Sequence, residues 1–366
     1  MSDRITFTID GRTVEANPDE TIWQVAARSG IDIPHLCYAP EPDYRPDGNC
    51  RACMVEIEGE RVLQASCIRK PSAGMKVHVA SKRAQASRRM VFELLLADQP
   101  ARNATHDPDS KLWQWADRIG ISDSRFPKGE KPEPDCSHPA MAVNLDACIN
   151  CTLCVRACRE VQVNDVIGMA GRGVHSKIVF DLDDPMGEST CVACGECVQA
   201  CPTGALMPAT VLNESQVRTE WADREVDSLC PFCGVGCQLT YKIKDDKILY
   251  VNGRDGPANH QRLCVKGRFG YDYAGHPDRL TQPLIRKEGV PKSADDEIDP
   301  ANPWTHFRPA SWEEAMARAA EGLREIRDRK GGNGLAGFGS AKGSNEEAYL
   351  FQKLIRTGFH TNNVDH

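Results

Sequence analysis

Apolar and polar residues alternate over the first residues of the chain, a pattern typical of a β-strand with one buried face. Ile5, Phe7 and Ile9 share that face, and the tight turn "DGR" follows them. Apolar positions at helical spacing then predict a short helix over residues 20–29. Further strands are predicted at "CMVEIEG" and "MKVHVAS". Strand, hairpin, strand and helix in this order predict a β-grasp domain over residues 1–80.

The pattern changes after this first domain. Residues 81–99 have apolar positions at helical spacing and predict one helix, which Pro100 ends. Prolines and charges up to residue 135 predict a connector that wraps over a surface and has little core of its own. Residues 136–225 form a cysteine-rich unit with an internal repeat. Residues 226–285 form a third unit, with strands predicted at "QLTYKIK" and "KILYVNG".

The last part, residues 286–366, contains both helix and strand patterns. The stretch "SWEEAMARAAEGLREIRDRKGG" predicts a helix with a Ser311/Glu314 capping box, "LAGFG" predicts a short buried strand, and "SNEEAYLFQKLIRTG" predicts the start of another helix. Helix, strand and helix indicate α/β packing, and with a single strand we expect this domain to be incomplete. The chain as a whole is predicted to be an α+β multidomain protein.

The composition limits where such a protein can act. Its 45 basic and 52 acidic residues give a formal net charge of −7, which argues against nucleic-acid binding. No apolar stretch is long enough to span a membrane, and the N-terminus has neither a secretory nor a twin-arginine pattern. We therefore expect a cytoplasmic protein. In that reducing compartment, 17 clustered cysteines predict metal sites rather than disulfides.

The cysteines form three sets with different spacings. The first set follows C-x12-C-x2-C-x13-C and consists of Cys37, Cys50, Cys53 and Cys67. Thiolates are the soft ligands that iron–sulfur clusters need, and four of them on a long loop can hold a [2Fe-2S] cluster. A zinc site is the alternative, although zinc sites more often contain two C-x2-C pairs.

The second set repeats the bacterial ferredoxin pattern. The first run is Cys148, Cys151, Cys154 and Cys158, and the second run is Cys191, Cys194, Cys197 and Cys201. In such repeats the fourth cysteine of each run binds the cluster of the other run. We therefore predict one [4Fe-4S] cluster on Cys148, Cys151, Cys154 and Cys201, and another on Cys191, Cys194, Cys197 and Cys158. Arg159 stands where proline usually follows, which changes the local backbone but not the ligands.

The third set is spaced C-x2-C-x3-C-x26-C and predicts a further [4Fe-4S] cluster on Cys230, Cys233, Cys237 and Cys264. A structural zinc ion is again the alternative. Lys266, two residues past the last cysteine, is placed to reach between this cluster and a neighbouring group. Cys136 is left over, and we predict a free thiol there. The alternative is a fifth metal site that also includes His138 or His106.

The residues from Cys230 to Tyr273 and the later stretch "GSAKGSNEEAYLFQKLIRTGFHTNNVDH" resemble the N-terminal region of the molybdopterin oxidoreductases. With a [2Fe-2S] domain and a two-cluster unit ahead of them, the chain resembles the alpha subunit of the cytoplasmic NAD-dependent formate dehydrogenases. The large iron–sulfur subunit of complex I normally has a His-Cys cluster after its first domain, and residues 100–130 lack such cysteines. Iron-only hydrogenases share the front half, but their active-site cysteine motifs do not occur in this sequence.

The resemblance implies a bis-molybdopterin guanine dinucleotide cofactor with molybdenum or tungsten, and it places Lys266 between the third cluster and the pterin. It also implies that formate is oxidised to CO2 and that electrons pass through the clusters to an FMN- and NAD-binding diaphorase-type subunit, beside a small [2Fe-2S] subunit.

In that family, the metal's own cysteine or selenocysteine ligand and the residues that handle formate come after the segment matching "NNVDH". We therefore expect the electron-transfer portion of a longer subunit, with no catalytic residue in this chain and with iron as its only metal. The alternative is a non-catalytic electron-transfer subunit of a complex I-like or hydrogenase-like NADH-linked complex.

Overall fold

A computed structural model describes residues 4–129, 132–293, 297–299 and 301–366 of the chain. Residues 1–3 of the first predicted domain and residues 130–131 of the predicted connector lie outside the described residues. None of the helices within the described ranges combines the length and the apolar character that a membrane crossing requires.

The first domain is a five-stranded sheet with one helix packed on it. Its strands are β1 (Ile5–Ile9), β2 (Arg12–Ala16), β3 (Met54–Ile57), β4 (Gln64–Ala65) and β5 (Lys76–His78), and its helix is α1 (Ile22–Arg28). The order across the sheet is β2-β1-β5-β3-β4, in which only β1 and β5 are parallel. Phe7 and Ile9 of β1 share a buried core with Ile22 of α1. The helix begins two residues later than predicted because Thr21 is its N-cap and forms a capping box with Gln24 of the first turn.

Two helices follow and pack beside the first domain. They are α2 (Lys82–Ala97) and α3 (Lys111–Ile119). Phe92 and Leu96 of α2, Leu112 and Trp113 of α3, and Leu36 of the first domain are buried in one apolar core. Helix α3 was therefore missed in the predicted connector, where it packs into a core shared with α2 and the first domain. Its apolar stripe spans only 9 residues between polar neighbours, too short for the periodicity to stand out in the sequence.

The cysteine-rich unit (residues 136–225) is built from short elements around its two runs. Its strands are β6 (Met141–Val143), β7 (Ile167–Ala170), β8 (Lys177–Phe180) and β9 (Leu206–Pro208), and its helices are α4 (Leu153–Arg156) and α5 (Glu196–Ala200). Two antiparallel pairs form, β6 with β9 and β7 with β8. Helices α4 and α5 lie against each other, and each carries the third cysteine of its run. The internal repeat is thus present as two loops that each lead into a helix.

The third unit consists of a small sheet and a short helix, and its first strand begins two residues before the predicted boundary at residue 226. Its elements are β10 (Arg224–Leu229), β11 (Gln238–Lys244), β12 (Lys247–Gly253) and α6 (Val265–Phe269). The three strands form an antiparallel meander, and β11 and β12 lie where they were predicted. Leu239, Val251 and Leu263 form the core together with Cys230. Because α6 packs on β12, the residues after Cys264 return to the sheet.

The C-terminal part contains two strand pairs and two helices. Its elements are β13 (Leu284–Arg286), β14 (Phe307–Pro309), α7 (Trp312–Lys330), β15 (Gly337–Phe338), α8 (Asn345–Lys353) and β16 (Val364–Asp365). Strands β13 and β14 are antiparallel, whereas β15 and β16 are parallel. The parallel pair flanking α8 is the βαβ arrangement that underlies α/β packing.

Two local predictions in this part need correction. The Ser311 hydroxyl accepts a hydrogen bond from the Glu314 N–H at 3.1 Å, but the Glu314 carboxylate turns to Arg308, so the capping box is only half formed. A guanidinium group offers the carboxylate a charged donor that the backbone N–H cannot match. Leu335 is buried but Phe338 is 82% exposed, so the predicted buried strand is buried over only part of its length.

Replacing Ser311 with alanine should destabilise α7 by about 1 kcal/mol, because the N–H of Glu314 then loses its acceptor. Hydrogen exchange of the first amides of α7 measures this change. Glu314→Gln is the matched control, since it keeps the capping hydrogen bond and removes only an exposed ion pair with Arg308. Faster exchange in the control than in the alanine variant would contradict the prediction.

Candidate iron–sulfur sites

The first set of cysteines lies at one end of the first domain. Cys37 and Cys50 are on the long loop between α1 and β3, Cys53 immediately precedes β3, and Cys67 follows β4. The Cys37 N–H donates a hydrogen bond to the Cys50 sulfur at 3.4 Å. Thiol hydrogen bonds from Cys50 and then Cys67 lower the pKa of Cys37. A thiol contact with Cys67 likewise lowers the pKa of Cys53, so the structure brings all four predicted residues together.

Thiols from both runs line a single cavity in the cysteine-rich unit. The four cysteines in its wall are Cys148, Cys151, Cys154 and Cys201. Burial, and then the neighbouring thiols of Cys151, Cys148 and Cys201, raise the pKa of Cys154. Cys201 is the fourth cysteine of the second run. The cavity therefore gathers the four residues that the crossed pattern groups together.

The other four cysteines of the runs form the complementary group. Burial, and then the neighbouring thiols of Cys194, Cys191 and Cys158, raise the pKa of Cys197. Cys158 comes from the first run and lies in the π-helical turn Ala157–Val161 that continues α4. Since α4 and α5 contact each other, the chain carries the fourth cysteine of each run to the other run.

Both runs have the same left-handed backbone on either side of their second cysteine. The φ angles are +52° at Asn150 and +62° at Thr152 in the first run, and +55° at Ala193 and +68° at Gly195 in the second. Only Gly195 adopts this conformation without strain from a side chain. Such angles at these four positions indicate that both loops hold their backbone in a specific curved shape around the cysteine thiols.

This conformation directs backbone N–H groups at sulfur atoms. The Asn150 N–H donates to the Cys148 sulfur and the Ala193 N–H donates to the Cys191 sulfur, both at 3.4 Å. The Val166 N–H makes a similar hydrogen bond of 3.3 Å to the Cys158 sulfur. Hydrogen bonds to sulfur are one of the means by which a protein tunes the potential of an iron–sulfur cluster.

The third set is more open than the others. Cys230, Cys233 and Cys237 lie on the loop between β10 and β11, and Cys264 immediately precedes α6. Burial, and then the neighbouring thiols of Cys230, Cys233 and Cys264, raise the pKa of Cys237. Cys233 and Cys264 are nevertheless exposed. The four thiols are thus neighbours, and two of them lie at the surface of the third unit.

The loop of this third set touches the C-terminal part of the chain. The Gly234 N–H donates to the Ala341 carbonyl at 2.9 Å. Ala341 belongs to the glycine-rich loop after β15, beside a cavity of about 720 Å³, which is within the usual size of small-molecule pockets. Residues lining that cavity include Phe338, Gly339, Gly343, Glu347, Phe351 and Asp365. Lys266 is exposed on α6, two residues after Cys264.

The buried thiols suit a cluster in both position and chemistry. Burial raises the pKa of Cys148 to about 11 and also raises the pKa of Cys151. Because clusters bind thiolates, loading the cavity must release these protons. Within the described ranges, no three His, Cys, Asp or Glu side chains are placed so that they could hold a single metal ion. In a four-iron cluster, iron and sulfide atoms lie between the thiolates, so its four ligands need not lie within reach of one ion.

Two buried arginines were missed by the sequence analysis. Arg156, only 2% exposed, donates to the Cys151 carbonyl at 3.1 Å and to the Cys37 carbonyl at 2.7 Å. Its guanidinium group also lies 3.0 Å from the Asp47 carboxylate. It therefore bridges the first run and the cysteine loop of the first domain.

The second of these arginines contacts the second run. Arg268 of α6, 3% exposed, donates to the Cys194 carbonyl at 3.1 Å and approaches the Glu196 carboxylate to 3.2 Å. The Tyr44 hydroxyl donates to the same carboxylate at 2.9 Å. The position of Glu196 between two cysteines of a buried loop was the available sequence signal, because a carboxylate there needs a partner.

The remaining cysteine stands apart from these sets. Cys136 is exposed, whereas the His106 ring is fully buried, and burial lowers its pKa to about 4. The His138 ring accepts a hydrogen bond from the Ala140 N–H at 3.1 Å. A free thiol at Cys136 stays a prediction.

Comparison with known protein families divides the chain in the same order as the cysteine sets. Residues 2–82 match the 2Fe-2S iron-sulfur cluster binding domain, and residues 147–205 match the 4Fe-4S dicluster domain. Residues 223–276 match the molybdopterin oxidoreductase Fe4S4 domain, and residues 279–366 match the molybdopterin oxidoreductase family.

Curated relatives align with nearly the whole chain. The alpha subunit of the NADPH-Fe(3+) oxidoreductase of Geobacter sulfurreducens is 32% identical over 99% of this chain, and an NADH-quinone oxidoreductase subunit of Rhizobium meliloti is 33% identical over 99%. YrhE of Bacillus subtilis, provisionally named a formate dehydrogenase, is 30% identical over 99%. The chain spans 40%, 40% and 39% of the length of these three proteins.

One solved structure is similar to this chain in both fold and sequence. A chain of an NAD+-reducing [NiFe]-hydrogenase in the H2-reduced state has a TM-score of 0.51 and 30% identity to this chain. The match covers 56% of this chain and 87% of the hydrogenase chain. Taken with the four family matches, these relatives show that the chain belongs to the molybdopterin oxidoreductase family and carries its iron–sulfur domains.

Proposed function

We propose that this chain is the electron-transfer portion of a formate dehydrogenase. In this proposal, formate is oxidised to CO2 at a bis-molybdopterin guanine dinucleotide centre with molybdenum or tungsten, and an FMN- and NAD-binding partner subunit receives the electrons. The observation that carries the electron-transfer role is the cavity lined by Cys148, Cys151, Cys154 and Cys201. Similarity to a relative provisionally named a formate dehydrogenase supports the choice of substrate.

The proposed ligands follow the three sets. The [2Fe-2S] cluster is held by Cys37, Cys50, Cys53 and Cys67. The three [4Fe-4S] clusters are held by Cys148, Cys151, Cys154 and Cys201, by Cys191, Cys194, Cys197 and Cys158, and by Cys230, Cys233, Cys237 and Cys264. When bound, each cluster accepts and releases one electron at a time.

The other residues of the chain exclude water from the cysteine sets, fix the positions of the sets and donate hydrogen bonds to them. Buried apolar side chains such as Leu153 and Leu206 exclude water from the cysteines of the runs. The hydrogen bond from Gly234 to Ala341 keeps the third set against the glycine-rich loop and its cavity, where we place the pterin. Lys266 is proposed to lie between that set and the pterin, because it follows Cys264 on the adjoining helix.

Metal analysis of anaerobically purified protein tests the electron-transfer role. One two-iron and three four-iron clusters predict about 14 iron atoms per chain, with sulfide in equal amount. EPR spectra of the reduced protein should contain both cluster types. A content of four zinc ions and little iron would contradict the proposal.

The substrate is tested separately on the whole protein as isolated from its cells. Formate should reduce the clusters and bleach their visible absorption, and stoichiometric molybdenum or tungsten with pterin should be present. NADH is the matched control, because it can deliver electrons only through a partner subunit. Absence of formate-driven bleaching would overturn the assignment of formate while leaving the electron-transfer role in place.

A second candidate is a non-catalytic electron-transfer subunit of an NADH-linked complex. The match to a chain of an NAD+-reducing [NiFe]-hydrogenase, which covers 87% of that chain, favours it. In that case NADH but not formate should bleach the clusters, and iron should be the only metal.

A further inference from the structure

The two buried arginines contact equivalent positions of the internal repeat. Cys151 is the second cysteine of the first run and Cys194 is the second cysteine of the second run. The carbonyl of each accepts a hydrogen bond of 3.1 Å from a buried guanidinium group, Arg156 in one case and Arg268 in the other. The two guanidinium groups come from unrelated places in the chain, so the repeat itself does not account for the coincidence.

Each guanidinium group also connects its run to a neighbouring cysteine set. Arg156 donates to the Cys37 carbonyl at 2.7 Å and thereby joins the first run to the first domain. Arg268 lies four residues after Cys264, whose carbonyl accepts its backbone N–H at 3.0 Å. It thereby joins the second run to the third unit. The packing of each run on its outer neighbour thus includes one buried guanidinium group that is paired with a carboxylate.

Burial makes these charges effective. Arg156 and Arg268 are 2% and 3% exposed, so water and salt screen them less than they screen a surface arginine. Each guanidinium group is paired with one carboxylate, Asp47 at 3.0 Å or Glu196 at 3.2 Å, which offsets part of its charge. Arginine stays protonated in proteins even when buried. Reduction adds one electron to a cluster, with no proton and no bond change, and a fixed positive charge nearby stabilises that added negative charge.

The packing around Arg268 leaves little room for it to move. A Cβ built on Gly195 would lie 2.8 Å from Cγ of Arg268 and 2.9 Å from Phe269. The Val251 carbonyl accepts a further hydrogen bond at 3.1 Å, and Glu196 accepts another at 3.2 Å. The guanidinium group is therefore fixed against the loop of the second run.

We infer that Arg156 and Arg268 are positioning residues that raise the reduction potentials of two different clusters, Arg156 that of the Cys151 cluster and Arg268 that of the Cys194 cluster. This inference rests on the proposed function, because it requires both clusters to be present. Through Arg156, the cysteine set of the [2Fe-2S] cluster is also in contact with the first run of the cysteine-rich unit.

Redox titration followed by EPR tests the inference, with the two cluster signals assigned beforehand by Cys201→Ser and Cys158→Ser. We expect Arg268→Gln to lower the ratio of reduced to oxidised Cys194 cluster about tenfold at fixed potential, which is a shift of about 59 mV for one electron. Arg156→Gln should lower the reduction potential of the Cys151 cluster by a similar amount. Each variant is thus the control for the other.

Two further variants separate charge from structure. Arg268→Lys keeps the charge and should recover most of the potential, although it loses hydrogen bonds. Arg45→Gln removes a charge beside Arg156, but the Arg45 side chain is 58% exposed. This change should therefore leave the reduction potentials of both clusters unchanged. A shift in Arg45→Gln as large as in Arg156→Gln would overturn the inference.

Loss of the Arg268 charge leaves a buried carboxylate, and the single variant could fail to fold. The comparison is then made in a Glu196→Gln background, where adding Arg268→Gln should still lower the ratio of reduced to oxidised Cys194 cluster about tenfold. Unchanged potentials in variants with full iron content would overturn the inference. Lack of both four-iron clusters in the unmodified protein would instead overturn the proposed function.

Discussion

Replacing Cys201 with serine should remove the cluster of the first run, although Cys201 belongs to the second. The Cys201 thiol lines the cavity with Cys148, Cys151 and Cys154, and with serine there this group would have only three thiolates. We expect iron to fall from about 14 to about 10 atoms per chain, or to a three-iron cluster with an EPR signal of its own. The signal of the Cys191, Cys194 and Cys197 cluster should persist.

The reciprocal change completes this test. Cys158→Ser should remove the cluster of the second run, because Cys158 neighbours the Cys197 thiol rather than the cavity. Cys136→Ser is the control, since that cysteine is exposed and belongs to neither group. Loss of the second-run cluster in Cys201→Ser would show that the runs do not cross.

Replacing Gly253 with alanine should disrupt the third unit. A Cβ at Gly253 would lie 1.7 Å from the Gln261 carbonyl oxygen, and a backbone atom cannot move aside as a flexible side chain can. Overpacking of this kind costs about 3 kcal/mol. The clash pushes on the segment that leads to Cys264, so we expect loss of the third four-iron cluster as well. Iron analysis and hydrogen exchange of β11 and β12 measure both effects.

The same glycine holds the third unit to the cysteine-rich unit. Gln199 accepts from the Gly253 N–H at 2.8 Å and donates to the Gly253 carbonyl at 3.1 Å. Gly322→Ala is the matched control, because no atom lies within 4 Å of a Cβ at that exposed helical position. That change should stabilise α7 by about 0.5–1 kcal/mol. Full iron content in Gly253→Ala would contradict the prediction.

The parts of the fold that were predictable are those whose signal lies within a short stretch. The alternation in β1 and the helical spacing in α2 are visible because each pattern repeats several times within one element. The grouping of Cys201 with the first run was also predictable, since cluster geometry constrains cysteine spacing directly. Helix α3 was missed because its apolar stripe is short.

The buried charges could not have been predicted in the same way. Arg156 and the Cys37 carbonyl are 119 residues apart in the chain, and Arg268 and Glu196 are 72 apart. Such contacts depend on how complete units pack together, and no local periodicity records them. The side chain of Glu314 shows the same limit on a smaller scale, since a neighbouring arginine redirected it from the cap.

The crossing of the two runs also constrains biosynthesis. With the proposed ligands, neither four-iron cluster of the cysteine-rich unit has its full complement until the second run has been made, and the first needs Cys201 itself. Cluster insertion there must therefore follow translation of both runs rather than proceed run by run. Until then neither group of thiols can bind a complete cluster. A ribosome that stalls between the runs therefore leaves a nascent chain that can complete neither cluster.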